Sequence, residues 1–183
     1  MKKISILILI CLGLWNLSSS GFMLSKAYLS QVLIASAWNE TLKDKKYHKP
    51  WSWADTYPVF KIQVPRINKV SYILEGASGR NMAFSAAHTS ISGLPGQSKS
   101  TVVSGHRDSH FEYLQDLKLG DKIIADEMNN KYHYEIVEIK VINSQQEKLL
   151  IKNIDELILT TCYPFDSLQA GGNLRYVIHA LPI

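Results

Sequence analysis

Three short stretches of this chain bring reactive side chains to places where an apolar run meets a turn. LILTTCYPFD, Leu157 to Asp166, ends its apolar run in two threonines and Cys162, one of only two cysteines, before a turn at Pro164. VVSGHRD sets His106 behind a Ser104–Gly105 step, and NLRYVIHA opens the last apolar run with Arg175, just after Gly171–Gly172. A rigid element that holds a residue, followed by a loop that leaves it accessible, suits a reacting group. The three types are also complementary. A free thiol titrates at about 8.5, so near neutrality it needs a basic neighbour or a positive field to act as a nucleophile. His106 has the chemistry to take that proton and return it to a leaving amine. Arg175 keeps its charge, so it is no base, but it suits an oxyanion or a substrate backbone.

Each residue alone also has a plainer reading. A lone cysteine is often a small packed hydrophobe, a histidine at a strand end a satisfied polar group, and an arginine a surface charge. Together they point to a cysteine acyl-transfer enzyme. Two alternatives stay open: a cysteine protease, and a membrane-tethered binding barrel with an inert thiol. The papain order, Cys before His, is opposite to that found here, and the caspase signature QACxG is absent.

The elements that must position these residues read as short strands. Short β-rich runs appear in YPVFKIQV, which alternates, and in KVSYILEG, KSTVVSGH, GDKIIADE, KYHYEIVEIKVIN, ELILTTCY and NLRYVIHAL. Turns between them carry Gly, Asn and Asp, as in MNNK. Short helical pieces are expected at HFEYLQDLK and just before TSISGLPG. Seven or eight strands without βαβ alternation or a GxGxxG loop predict a mainly β fold, a closed or nearly closed antiparallel-rich barrel over residues 57–183. Side chains alternate along a strand, so Thr160 and Cys162 share one face, and Leu159 and Thr161 the other.

The region before the barrel divides in two. Residues 1–24 begin with Lys2 and Lys3 and then carry no charge; the uncharged stretch as a helix spans roughly 31 Å, about a bilayer's hydrocarbon core. It reads as a signal segment, retained as a membrane anchor or cleaved near Ser18–Ser20; either way the remainder is exported, since the positive end stays inside. Residues 25–56 read as an amphipathic helix, with Leu29, Val32, Leu33 and Ala37 as its apolar stripe and Ser30 and Ser36 off it, followed by an extended arm in which Trp51 and Trp53 share a face. The 183 residues carry a net charge of +4, and their only local basic cluster is Lys43, Lys45, Lys46 and Lys49. No basic stripe interleaves with aromatics, which argues against nucleic acid as a partner. Neither cysteine has a second Cys or a His at ligand spacing, and Glu135, Glu138 and Glu147 are too dispersed for a calcium loop, so no metal or cofactor is expected.

These stretches resemble sortases. LTTC is similar to the TLxTC signature, with Ile158 in place of its first threonine, and GHRD and LRYVIHA supply histidine and arginine in the order His, Cys, Arg. More narrowly, PWSWADTYPV, MAFSAAHTSISGLPG, GHRDSHFEYL and TTCYPFD together resemble the class GN sortases of Gram-negative bacteria. The resemblance covers nearly the whole chain and implies an eight-stranded sortase β-barrel, with Cys162 as nucleophile, His106 as general acid and base, and Arg175 on the oxyanion or substrate. It implies a protein substrate with an LPxTG-like C-terminal sorting signal, a thioester intermediate, and an amine acceptor. The catalytic domain would lie on the extracytoplasmic side of the inner membrane, reached through the N-terminal segment. His88, in the loop ahead of the His106 strand, is expected beside the substrate groove, and Thr160 and Thr161 are expected to offer it hydroxyl contacts.

Overall fold

Apolar side chains recurring every second residue build each strand with one face for a core. In β1 (Pro58–Val64), Phe60, Ile62 and Val64 are buried while Lys61 and Gln63 are not. The structure, a computed structural model, describes Gly13, residues 25–167, Gln169 and residues 171–183. The expected membrane segment thus lies, but for Gly13, outside the described residues; among them no helix is long and apolar enough to cross a membrane.

The further strands are β2 (Lys69–Glu75), β3 (Ala87–His88), β4 (Thr101–Ser104), β5 (Lys122–Glu127), β6 (Lys131–Asn143), β7 (Leu157–Cys162) and β8 (Leu174–Pro182). They close into an eight-stranded barrel in the order β1-β2-β3-β4-β7-β8-β6-β5. Most neighbours are antiparallel, but β2 pairs with β3, and β4 with β7, in parallel. Closure leaves no strand edge without a partner, which removes the usual template for aggregation. The expected barrel is therefore present, with β3 added. The helical piece expected at HFEYLQDLK is present as a 3-10 turn at Glu112–Asp116, whereas just before TSISGLPG the chain forms β3 and the short helix lies upstream, at Gly79–Met82.

The barrel interior holds Phe60, Ile62, Ile73, Val103, Phe111, Leu114, Tyr134, Leu157, Leu159 and Ile178, all essentially inaccessible. Each such side chain stabilises the fold by about 1.5–3 kcal/mol relative to exposure. A second, smaller cluster lies on the outer face: Val102, Ile142, Ile158 and Val177, with Leu149 and Ile151 of the β6–β7 connection laid over them. A register shift in β6 between Ile136 and Glu138 links the two clusters. One extra residue reverses which face the side chains take. Ile136 accordingly points into the barrel, and Ile142, six residues on, reaches the outer cluster.

The N-terminal helix α1 occupies residues 25–44 of the described chain, six residues beyond the Trp38 at which the amphipathic pattern was read to end. Its buried face is Ser30, Ile34, Ala37, Trp38 and Thr41, spaced at three and four as a helix stripe requires. Ile34 packs on Leu74 and Ala87, register partners on the outer face of β2 and β3. The expected stripe is therefore corrected: Leu29 and Val32 are exposed, and Ser30 is buried with its hydroxyl donating to the Ala27 carbonyl at 2.7 Å. The expected arm is also corrected. Residues 50–53 turn rather than extend. Trp51 meets Phe84 edge-on at 5.0 Å while Trp53 is 83% exposed, although both border one shallow cleft.

Candidate active site

The parallel pairing of β4 with β7 sets the ends of these strands side by side: Ser104 is the register partner of Thr160, and the Gly105 N–H donates to the Thr160 carbonyl at 3.2 Å. His106 follows at once. The chain passes from β4 to His106 over the Phe111 ring, so closely that a Cβ on Gly105 would lie 2.8 Å from it. Glycine is needed here for the close approach. The Phe111 N–H then donates to the His106 carbonyl at 2.9 Å, closing the turn.

On the other side of β7, Cys162 is the direct register partner of Arg175 on β8, and paired residues in a ladder direct their side chains to the same face. Cys162 is a free thiol, partly accessible. Arg175 follows Gly171 and Gly172, whose φ values of 83° and 93° lie in the left-handed region that glycine occupies without strain. Its Nη1 donates to the carbonyls of Gly172 at 2.8 Å and Leu174 at 2.9 Å. The Nε and Nη2 donors have no hydrogen-bond partner among the described residues, so part of the fork is free for a substrate oxygen.

Cys162, His106 and Arg175 line one cavity of about 440 Å³, together with Ser104, Thr160, Ile142 and Leu149. Ile142 and Leu149 bring the edge of the outer hydrophobic cluster into it, and Met82 and the segment Glu147–Leu149 stand at its sides. An outward thiol, an imidazole and a guanidinium beside an apolar trough can do acyl transfer: attack, proton exchange and oxyanion stabilisation. Among the described residues no three His, Cys, Asp or Glu side chains group as a metal site. Close by, burial holds the His110 imidazole below its ordinary value.

The structure brings some of the expected site residues together and removes others. Thr160 lines the cavity on the same face as Cys162. Thr161 also borders the cavity, but it is 3% exposed and its hydroxyl donates to the Gly105 carbonyl at 2.7 Å, so it ties β7 to the His106 turn. His88 does not reach the cavity. It is 3% exposed on β3, with Nδ1 2.9 Å from the Glu75 carboxylate and Nε2 2.9 Å from the Gly93 carbonyl, so it braces β2, β3 and the following loop. Sequence reasoning missed the walls supplied by Met82, Ile142 and Leu149. They come from three separate elements, and only the β6 register shift turns Ile142 outward.

The closed barrel carries cysteine, histidine and arginine at one groove on its outer face, and known proteins share its architecture. The sortase domain family matches residues 62–183. The chain belongs to the sortase family. It is 32% identical over 120 residues to sortase D of Bacillus subtilis (strain 168), an alignment that takes in 64% of this chain and 60% of that protein. Among solved structures it is similar to sortase A of Corynebacterium diphtheriae, at 26% identity and a TM-score of 0.63 over 72% of this chain and 63% of that one. The sortase D5 transpeptidase of Clostridium perfringens shares the fold, with a TM-score of 0.69 at 19% identity over 85% of this chain and 99% of that one. The chain thus spans less than two thirds of the first two relatives, and the matched part contains the entire cavity wall from Met82 to Arg175.

Proposed function

We propose that this protein is a sortase-type cysteine transpeptidase, most like class GN, that cleaves an LPxTG-like C-terminal sorting signal and passes the acyl part to an amine. The observation that carries this reading is the pairing of Cys162 with Arg175 across β7 and β8, at a cavity that His106 also lines.

In the first half-reaction the Cys162 sulfur attacks the threonine carbonyl of the signal. A C–S bond forms, and the carbonyl electron pair moves onto the oxygen, where the free N–H groups of Arg175 stabilise it. The C–N bond to glycine then breaks, and His106 supplies the proton that the departing amine takes. In the second half-reaction an incoming amine attacks the thioester, the C–S bond breaks, the thiolate returns, and His106 accepts the proton the amine loses. Thr160 lies on the nucleophile's face and offers a hydroxyl to the bound peptide. The apolar edge at Ile142 and Leu149 seats the substrate's apolar side chains.

The exported position follows from the N-terminal signature: residues 1–24 hold the chain in the inner membrane and the barrel faces the extracytoplasmic side, with residues 25–56 between them. The partners are then a protein bearing the sorting signal, an amine acceptor and the membrane itself. A transfer assay tests the proposal. The barrel with α1 is mixed with an LPxTG-containing peptide and a glycine-based amine, and the ligated product is followed by mass. Ligation that is lost in Cys162→Ala supports the reading. Equal product from wild type and mutant, or none from either, removes it.

A further inference from the structure

Arg107, next to His106, is 7% exposed, although a guanidinium is costly to take out of water. Such a group normally pairs with a carboxylate. Here no carboxylate among the described residues lies within ion-pair distance, even though Asp108, Glu112 and Asp166 border the same cleft. Its Nη2 donates instead to two backbone carbonyls of the β7–β8 loop, Ser167 at 2.9 Å and Gln169.

That loop is tied directly to two of the proposed catalytic residues and, through Arg107, to the third. It begins at Cys162, and it ends at Gly172, whose carbonyl holds Arg175. Arg107 grips its middle from the residue beside His106. On the opposite flank of His106, Gly105 is bonded to Thr160 through its N–H and to Thr161 through its carbonyl. The imidazole therefore sits between two clamps, one on the nucleophile's strand and one on the nucleophile's loop.

We propose that Arg107 is a positioning residue: its buried guanidinium locks the β7–β8 loop to the His106 turn and so sets His106, Cys162 and Arg175 relative to one another. A planar Nη2 with both its hydrogens on backbone carbonyls fixes direction as well as distance, and a burial cost accepted without a counter-ion suits a residue kept for geometry. The inference rests on the transpeptidase reading for its kinetic form, but it also has a readout independent of the substrate.

The test uses Arg107→Ala and Arg107→Met in the full chain, with free guanidinium ion at non-denaturing concentration as a probe. In the transfer assay, kcat falls by about 10- to 100-fold in both variants, as expected when reacting groups are misplaced by an ångström or so, while KM stays near that of wild type. Guanidinium restores part of the rate to Arg107→Ala, whose cavity it enters, and none to Arg107→Met, whose side chain fills the space without a donor. A wild-type kcat in both variants, or a lowered kcat in Arg107→Ala that guanidinium does not raise, overturns the proposal. If wild type itself transfers no acyl group, the transpeptidase reading fails separately. Arg107 is then judged by the pH profile of Cys162 alkylation with iodoacetamide: a changed profile in Arg107→Ala that guanidinium reverts keeps the proposal, and an unchanged profile ends it.

Discussion

The two ends of β7 are built in opposite ways. At its start Glu156 is 2% exposed, with Oε1 accepting from the Ser100 hydroxyl at 2.6 Å and Oε2 lying 3.5 Å from His179 Nδ1 and 3.7 Å from Lys152 Nζ. The Ser100 hydroxyl in turn accepts from the Lys152 N–H at 2.8 Å. At its end, 6 residues later, Cys162 is partly accessible, and the groups around it are held by neighbours while the thiol is not. The same strand is thus anchored at one end and presented at the other. At the anchored end the polar side chains of Glu156, Ser100, Lys152 and His179 gather on one another. At the presented end they bond backbone, through Thr161, Arg107 and Arg175, and leave the Cys162 sulfur to the cavity.

The contrast predicts that substitutions at the two ends separate activity from stability. Cys162→Ala should abolish transfer, by on the order of 10⁴-fold or more, with a melting temperature close to wild type. His106→Gln should lower kcat by about 10²- to 10⁴-fold, the usual range for a positioned acid and base. Arg175→Ala should cost about 10²- to 10³-fold, as loss of an oxyanion donor does. At the opposite end, Glu156→Ala leaves the Ser100 hydroxyl only the Lys152 carbonyl at 3.3 Å and removes the carboxylate beside the His179 ring. It should destabilise the barrel by about 2 kcal/mol in urea unfolding, with kcat of the folded fraction unchanged. A Glu156 variant that lost kcat but not stability would break the division between the ends.

The smallest expected effect lies far from the groove. Arg66 donates to both Asp121 oxygens, at 2.5 and 2.7 Å, and this bonding holds the Asp121 carboxyl below the usual carboxylate range. A carboxyl lowered on folding contributes stability above its unfolded pKa of about 3.9, and that contribution is lost as pH falls through the lower folded value. Melting curves from pH 6 downward should therefore show an acid-side loss of stability that is reduced in Arg66→Met, while that variant leaves Cys162 alkylation at neutral pH unchanged.

Much of the barrel is legible in the chain because alternation needs only local sequence. Seven strands follow from short β-rich runs, alternating in VFKIQV and continuously apolar at the start of LILTTC. β3 is different: Ala87 and His88 make a strand only because β2 and β4 flank them, which local pattern does not carry. Helix α1 shows a second limit. Its apolar residues form more than one stripe, and only the shape of the barrel surface decides that Ile34, Ala37 and Trp38 pack while Leu29 and Val32 face outward.

The site divides in the same manner. Cys162, His106 and Arg175 stand out by residue type and by their place after strands. The inward aim of Thr161 follows from strand parity with Leu159. The bracing of His88 by Glu75 depends on the parallel β2–β3 register, and the burial of Arg107 on the path of the β7–β8 loop. Both are tertiary facts. GHRD names the residue beside the histidine without showing where its guanidinium goes.

The measurement that bears most directly on the account is the intact mass of the protein after brief mixing with an LPxTG peptide, for wild type and Cys162→Ala. The account predicts an adduct equal to the peptide's acyl portion on wild type, released by hydroxylamine as a thioester is, and absent from the mutant. A wild-type protein that forms no adduct, and whose thiol reacts sluggishly with iodoacetamide, would contradict it and leave a binding barrel with an inert cysteine.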